Sequence, residues 1–418
     1  MTSTTGSTSA LMLRNAHLLD PISGDYTEGD LLSVDGRIAE TGPRLTAPQR
    51  AEVHDLRGAY VLPGLIDAHV HVTAITAHLA SLATTSPLYV GAYAAKIMSG
   101  MLDRGFTTVR DMAGADHGIA AAQAEGAIRG PRLAFGGRAL SQTGGHGDHR
   151  GPGAHLRDEH PCCGDHCRIA DGVDAVRAAA RDELRKGGHH LKVMASGGVA
   201  SPTDRIDSTQ YSMDELRAAV QEAEAFNRYV AAHAYSARAV NRALEAGVRS
   251  IEHGNLIDDR SVRLLLERDA FLVPTLVTYW ALKEEGRRYG LPEGSWRKVD
   301  EVLHAGLAAL ERAHRAGVTI VYGSDLLGGM HGHQSREWRI RAEVQEPIDI
   351  IRSATSNAAR LLDQEEQIGT LAVGAHADLV VLDADPLRDI GVLAAPAEHM
   401  PMVVQAGAVV RDDTAGRR

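Results

Sequence analysis

From about residue 60 to residue 322 the chain alternates short apolar runs with longer stretches in which apolar residues return at helical spacing. The runs at 60–66, 107–110, 132–135, 190–194, 229–232, 250–252, 271–274 and 319–322 predict strands. Their alternation with helices predicts βαβ units around a parallel sheet, and eight such runs predict closure into a (β/α)8 TIM barrel, an α/β fold. The helix ends carry their own signals. Ser212, with Glu215 three residues on, forms a capping box that opens a helix running through Phe226. Gly187 and Gly247 stand where helix C-caps are expected, just ahead of the next strand.

The two ends of the chain are patterned differently. Leu31 to Val34, then Asp35-Gly36, then Arg37 to Ala39 predicts a hairpin on a two-residue turn. Near the C-terminus, Asp378 to Leu382 reads as a strand, and Met402 to Gln405 turns at Ala406-Gly407 into Ala408 to Val410. Two β-rich ends around a βα-repeating middle predict a small β-sandwich domain assembled from residues 1–61 and 366–418, with the barrel at 62–365.

Composition changes this picture little but narrows the partners. The 418 residues are 44% hydrophobic and 23% charged, an ordinary globular balance compatible with one large and one small domain. A net charge of −10 without any basic cluster argues against nucleic acid as a partner. No apolar run approaches the ~20 residues that span a bilayer, and the Ser/Thr-rich first ten residues lack a signal-peptide pattern. The expectation is a cytoplasmic protein with no membrane association. Cys162, Cys163 and Cys167 crowd together and give no disulfide framework. Lysine is rare: Lys96, Lys186, Lys192, Lys283 and Lys298 are five among 44 basic residues. Arginine evidently serves wherever a plain positive charge suffices, so each lysine invites a chemical reason.

The candidate chemistry collects at the C-terminal ends of the predicted strands, where barrel enzymes place their catalytic groups. His69 and His71 are two apart and point to the same side of an extended chain. Lys192 lies inside the 190–194 run, His233 and His253 follow the next two runs, and Asp325 follows the last. Imidazole and carboxylate are ligands suited to zinc or a similar divalent ion. A lone histidine at a strand end is ordinarily a hydrogen-bonded or surface residue, and a lone Asp325 would pass for a helix N-cap. Six such residues on successive strands, opening with H-x-H, are hard to obtain by accident. Lys192 is the odd member, because a buried ammonium is costly and would repel a metal. Either it reaches solvent along a strand edge, or its Nζ is carboxylated by CO2 to give a bridging carbamate, which only a primary amine can do.

At this point the sequence resembles the binuclear metal-dependent amidohydrolase superfamily. The matching stretches are VLPGLIDAHVH from Val61 to His71, KVMASGG from Lys192, AHA around His233, SIEHG around His253, GSD ending at Asp325, ATSNAA from Ala354 and GTL from Gly369. Within the superfamily it resembles the Xaa-Pro dipeptidase and carboxypeptidase-like group, which includes ochratoxin-hydrolysing relatives. LSQTGGHGD from Leu140 and SPTD from Ser201 carry that narrower likeness.

The resemblance implies two divalent metals, expected to be zinc, with His69, His71 and Asp325 on one, His233 and His253 on the other, and N6-carboxylated Lys192 bridging them. It implies a hydroxide nucleophile between the metals, with Asp325 taking its proton and passing it to the leaving amine. His146 and Tyr235 match substrate-contacting residues expected to bind the carbonyl oxygen or a terminal carboxylate, and His331 is expected in the pocket lining. The implied function is hydrolysis of an amide or peptide bond next to a free carboxylate, by a homo-oligomer acting on a small-molecule substrate. Two further enzymatic readings stay open: a cyclic-amidase or deaminase-type activity such as imidazolonepropionate hydrolysis, and hydrolysis of a xenobiotic or natural-product amide such as ochratoxin. Enzymes of the imidazolonepropionase kind often use one metal and lack the bridging lysine, so Lys192 favours the peptidase reading. A non-enzymatic scaffold of the same fold would be expected to have lost ligands, and here all six positions are filled. Two segments fit less well. HPCCGDHC, from His160 to Cys167, matches no usual zinc spacing and reads as a loop with reduced thiols, and Arg110-Asp111 reads as part of an internal ion pair.

Overall fold

The computed structural model describes residues 9–151, 153 and 165–414. The chain separates into two compact units: residues 1–66, 101–108 and 346–418, and residues 67–100 and 109–345.

In the first unit, β-propensity and tight turns build one eight-stranded sheet from both ends of the chain. Its centre is the long strand Ala10–Leu19, paired antiparallel with Tyr26–Val34 on one edge and parallel with Glu52–Asp55 and Tyr60–Pro63 on the other. Asp35 and Gly36 have φ of 48° and 79°, and Ala406 and Gly407 have 47° and 75°. Both hairpins therefore turn on two residues at positive φ, the geometry that matches strand twist. Leu379–Leu382, Met402–Gln405 and Ala408–Asp412 extend the sheet. Arg37 bridges to His376, bringing the Arg37–Gly42 strand near the C-terminal segment. The sheet thereby curls over a shared core that includes Leu11, Leu13, Leu31, Ile38, Val61, Val381 and Met402.

The run at 60–66, read above as one strand, is two. Tyr60–Pro63 belongs to the terminal sheet, and the chain breaks at Gly64 before β1, Leu65–Val70. Gly64 donates its N–H to the Asp378 carbonyl at 2.7 Å, and a Cβ there would lie 2.1 Å from Thr107 Oγ1. No side chain fits at that crossing.

The second unit is the barrel. After β1 come β2, Phe106–Asp111; β3, Arg132–Phe135; β4, Leu191–Met194; β5, Val230–Ser236; β6, Ser250–Leu256; β7, Phe271–Val273; and β8, Thr319–Ile320. Strands β4 to β8 pair parallel in sequence order, and β1, β2 and β3 form a second group. The His189 N–H reaches the Phe135 carbonyl at 2.8 Å, and Ala139–Ser141 pairs with β4. On the opposite side Ala68 N donates to Tyr322 O at 2.8 Å and Asp325 N to His69 O at 2.8 Å. These bonds close β8 onto β1.

Surrounding helices seal the strands because each presents an apolar stripe. Val176, Ala180, Leu216, Val220, Val240, Leu244, Leu265 and Leu310 pack with Leu191, Val193, Val230, Ile251 and Leu272 in one buried cluster. The capping box of Ser212 and Glu215 opens the helix Met213–Ala225, with Phe226 as its C-cap, and Gly247 caps Ala237–Ala246 in the left-handed conformation. Among the described residues no helix is long and apolar enough to cross a membrane.

Candidate metal centre and substrate cavity

Strand β1 delivers His69, and His71 follows one residue past its end; β8 runs on to Asp325. His69 Nε2 and His71 Nε2 lie 3.3 and 3.2 Å from Asp325 Oδ1. The other ring nitrogens are already engaged, His69 Nδ1 with Glu252 Oε2 at 2.7 Å and His71 Nδ1 with the Ala113 carbonyl at 3.0 Å. Two imidazoles locked through Nδ1 thus turn both Nε2 atoms toward one carboxylate. Burial would raise the Asp325 carboxyl, but His69 and His71 outweigh it and hold the group well below the usual carboxylate range. Asp325 sits at φ 51° and His253 at 77°, left-handed conformations that Asp and His adopt more readily than most other side chains.

The next ends bring the remaining candidates to the same place. The His253 ring lies 5.0 Å from His69 and 4.7 Å from His233, centroid to centroid, and His253 Nδ1 pairs with Thr275 Oγ1 at 2.8 Å. His233 Nε2 meets the Gly197 carbonyl at 3.1 Å. Burial lowers the pKa of both histidines well below the ordinary value, so their rings are neutral. Lys192 lines the same cavity, 2% exposed, with its pKa lowered to about 8 chiefly by burial. Roughly a tenth of the amine is then uncharged near pH 7, far more than for an ordinary lysine. His69, His71 and Asp325 are the one group among the described residues whose His, Cys, Asp or Glu ligand atoms all fall within 4.8 Å of one another.

Beneath His69 lies a fully buried relay absent from the candidates read in the sequence. Arg110 Nη2 donates to Glu252 at 2.9 and 3.1 Å, Ser250 Oγ donates to Glu252 at 2.5 Å, and Glu252 receives His69 Nδ1 on its other side. Burial pushes the Glu252 carboxyl up, but Arg110 and His69 prevail and keep it ionised. This is the arrangement by which a carboxylate fixes the tautomer of a metal-binding histidine. The ion pair expected around Arg110-Asp111 therefore joins Arg110 to Glu252. Asp111 instead accepts the Val72 and Ala115 amides at 2.7 and 3.1 Å. Asp67, also buried, accepts from Ser324 Oγ at 2.5 Å, Gln334 Nε2 at 2.8 Å and the His69 amide at 3.1 Å, tying β1 to the chain after β8.

His146 and Tyr235 both line the cavity. The His146 ring stacks on His233 at 4.1 Å, and burial brings its pKa down to about 4. Tyr235 is 3% exposed, its ring 5.1 Å from His253. His331 is not brought to the cavity wall: it is buried, with Nε2 3.3 Å from the Ala74 carbonyl. Of HPCCGDHC, residues 160–164 lie outside the described residues, so Cys162 and Cys163 do too, whereas His166 and Cys167 are buried in the cavity wall. Leu79, Val199, Leu282 and Leu327 give the cavity an apolar side.

Residues 60–410 match the amidohydrolase family. The chain belongs to that family and is a hydrolytic enzyme, with the barrel-plus-extra-domain fold of its structural relatives. It is similar to the ochratoxinase of Aspergillus niger, 33% identical over 405 residues, covering 91% of this chain and 83% of that protein. Among solved structures it is similar to a prolidase complexed with N-methylphosphonate-L-proline, 47% identical with a TM-score of 0.94, covering 96% of this chain and all of that one. A Xaa-Pro dipeptidase with methionine bound in its active site is 26% identical with a TM-score of 0.86, covering 97% of this chain and all of the other.

Proposed function

We propose that the chain hydrolyses an amide or peptide bond next to a free carboxylate at a site for two divalent ions. The observation that carries this reading is the convergence of His69 Nε2, His71 Nε2 and Asp325 on one cavity that Lys192, His233 and His253 also line. The donor set fits divalent ions: four imidazoles, each bonded through one ring nitrogen, and a carboxylate line one cavity. In this proposal His69, His71 and Asp325 would hold one ion, His233 and His253 would hold the second, and Lys192, once carboxylated, would contribute to both. The bound ions would supply Lewis acidity and lower the pKa of a bound water toward neutrality. Asp325 would take a proton on its carboxylate and deliver it to the leaving nitrogen. Tyr235 would donate its phenolic proton to a substrate oxygen, and the apolar wall would receive the acyl or side-chain portion.

The preference for a free carboxylate is supported by the prolidase relative, whose bound ligand joins a tetrahedral phosphonate to the nitrogen of proline. A natural-product amide is the second reading, favoured by the 33% identity to ochratoxinase. A panel of N-acyl amino acids and dipeptides, their C-terminal amides, ochratoxin A and cyclic amides, assayed with zinc-loaded protein, tests both. Acids should react far better than their amides, because a site built for a charged group is left with unpaired polar atoms without it. Equal rates, or turnover of cyclic amides alone, would overturn the proposal.

A further inference from the structure

The loop after β4 holds a buried polar network against the cavity. Ser201 Oγ lies 2.8 Å from His146 Nδ1 and 3.2 Å from the Gly198 carbonyl, and it hydrogen-bonds Asp204 Oδ1. Asp204 Oδ2 accepts from Gly198 N at 3.2 Å and Gln210 Nε2 at 3.0 Å, while Gln210 Oε1 accepts from His146 N at 2.8 Å. Lys298, reaching in from the helix Glu293–Arg315, directs Nζ at the carbonyls of Gly198, Ser201 and Asp204 at 3.1, 2.9 and 2.6 Å. An ammonium has three donors, and here it meets three carbonyls of one loop, with the Asp204 carboxylate 3.5 Å away as its counter-charge. That gives one of the chain's few lysines a task an arginine's planar fork would not perform. A Cβ on Gly198 would lie 2.1 Å from His146 Cε1, so the loop backbone packs directly on the ring.

The direction of these bonds follows from counting hydrogens. Ser201 has one hydroxyl hydrogen and three polar neighbours, two of which, the Asp204 carboxylate and the Gly198 carbonyl, can only accept. Were that hydrogen given to His146 Nδ1, the Asp204 carboxylate would face an oxygen lone pair. The hydrogen therefore goes to the carboxylate, the stronger acceptor, and His146 must donate its own Nδ1–H to Ser201. We propose that Asp204 and Ser201, held in place by Lys298, are positioning residues that lock His146 as the Nδ1–H tautomer. Nε2 is then left as the nitrogen without the hydrogen, and this assignment does not depend on which substrate the cavity takes.

The test is a two-bond nitrogen–proton correlation of the imidazole rings in zinc-loaded, full-length protein labelled with 15N-histidine, at neutral pH. The His146 signal is assigned by its loss in His146→Gln. The expected pattern is Nδ1–H in the wild type, and a mixture of both tautomers in Ser201→Ala and in Lys298→Met. In Ser201→Ala kcat/KM for any substrate found should also fall roughly 10–100-fold with zinc content unchanged. An Nε2–H ring or a ring protonated on both nitrogens in the wild type would overturn the proposal, as would variants whose His146 pattern matches the wild type. The wild-type spectrum decides even if a variant does not fold, and it does so whether or not any amide is hydrolysed.

Discussion

Glu252→Gln removes one charge from the relay that orients His69, and two consequences follow from separate parts of the structure. Arg110 and Glu252 are both 0% exposed, so the substitution leaves a guanidinium inside the barrel without its counter-charge. Breaking one side of a buried pair costs about 3–5 kcal/mol. For a unit of this size about 2 °C of melting temperature is lost per kcal/mol, which gives a fall of about 6–10 °C. The second consequence is at the metal centre. A glutamine amide can donate to His69 Nδ1, which moves the ring hydrogen to Nε2, the nitrogen 3.3 Å from Asp325, and takes that lone pair out of ligation. Zinc affinity should fall roughly 10–100-fold. Thermal unfolding of the metal-free proteins and zinc competition against a chelator measure the two effects. Adding Arg110→Met should recover melting temperature while zinc affinity stays low. A single variant that melts within about 1 °C of wild type and binds zinc normally would refute the relay.

Lys192→Ala should lower metal content and abolish turnover, with acetate or propionate partly restoring the rate by filling the bridging position; near-normal metal content and rate would contradict the carbamate. Asp325→Asn should slow turnover by roughly 10²–10⁴-fold through loss of general acid–base catalysis, and a variant within a few-fold of wild type would move that role to another residue. Glu337, whose Oε2 accepts the Val277 amide at 2.6 Å, is pushed up to about 7 by burial. The native state therefore keeps a proton that the unfolded chain releases near its ordinary pKa of about 4.3, so this group's contribution to stability declines as pH rises through about 7. Glu337→Gln should remove that decline, and its melting temperature relative to wild type should climb from about pH 5 to about pH 8; a pH-independent difference would contradict the assignment.

What could be read from the sequence is what depends on local spacing. His69 and His71 share a side because side chains alternate along an extended chain, and Asp35-Gly36 turns because both residues accept positive φ. Lys192 stands out because lysine is rare here and this one lies in an apolar run. The residues that escaped notice act across the barrel. Glu252 sits inside SIEHG, indistinguishable from strand filler, until the fold brings Arg110 from 142 residues away and His69 from 183. Lys298 is marked in the sequence only as one of five lysines, and its partners are loop carbonyls such as that of Ser201, 97 residues away. Gly64 broke a run that hydrophobicity alone joined, because the constraint is the approach of Thr107. His331 lies near Asp325 in sequence, yet its ring turns to the Ala74 carbonyl. Proximity along the chain did not fix where that side chain points.

The most direct test of the proposed two-ion hydrolase is a titration of metal-free protein with zinc, prepared with bicarbonate to carboxylate Lys192, while following hydrolysis of an N-acyl-L-proline and of its C-terminal amide. The account predicts that activity on the acid rises to a plateau at two zinc ions per chain and that the amide stays poorly hydrolysed throughout. A plateau at one ion, or no hydrolysis of the acid once two are bound, would contradict it.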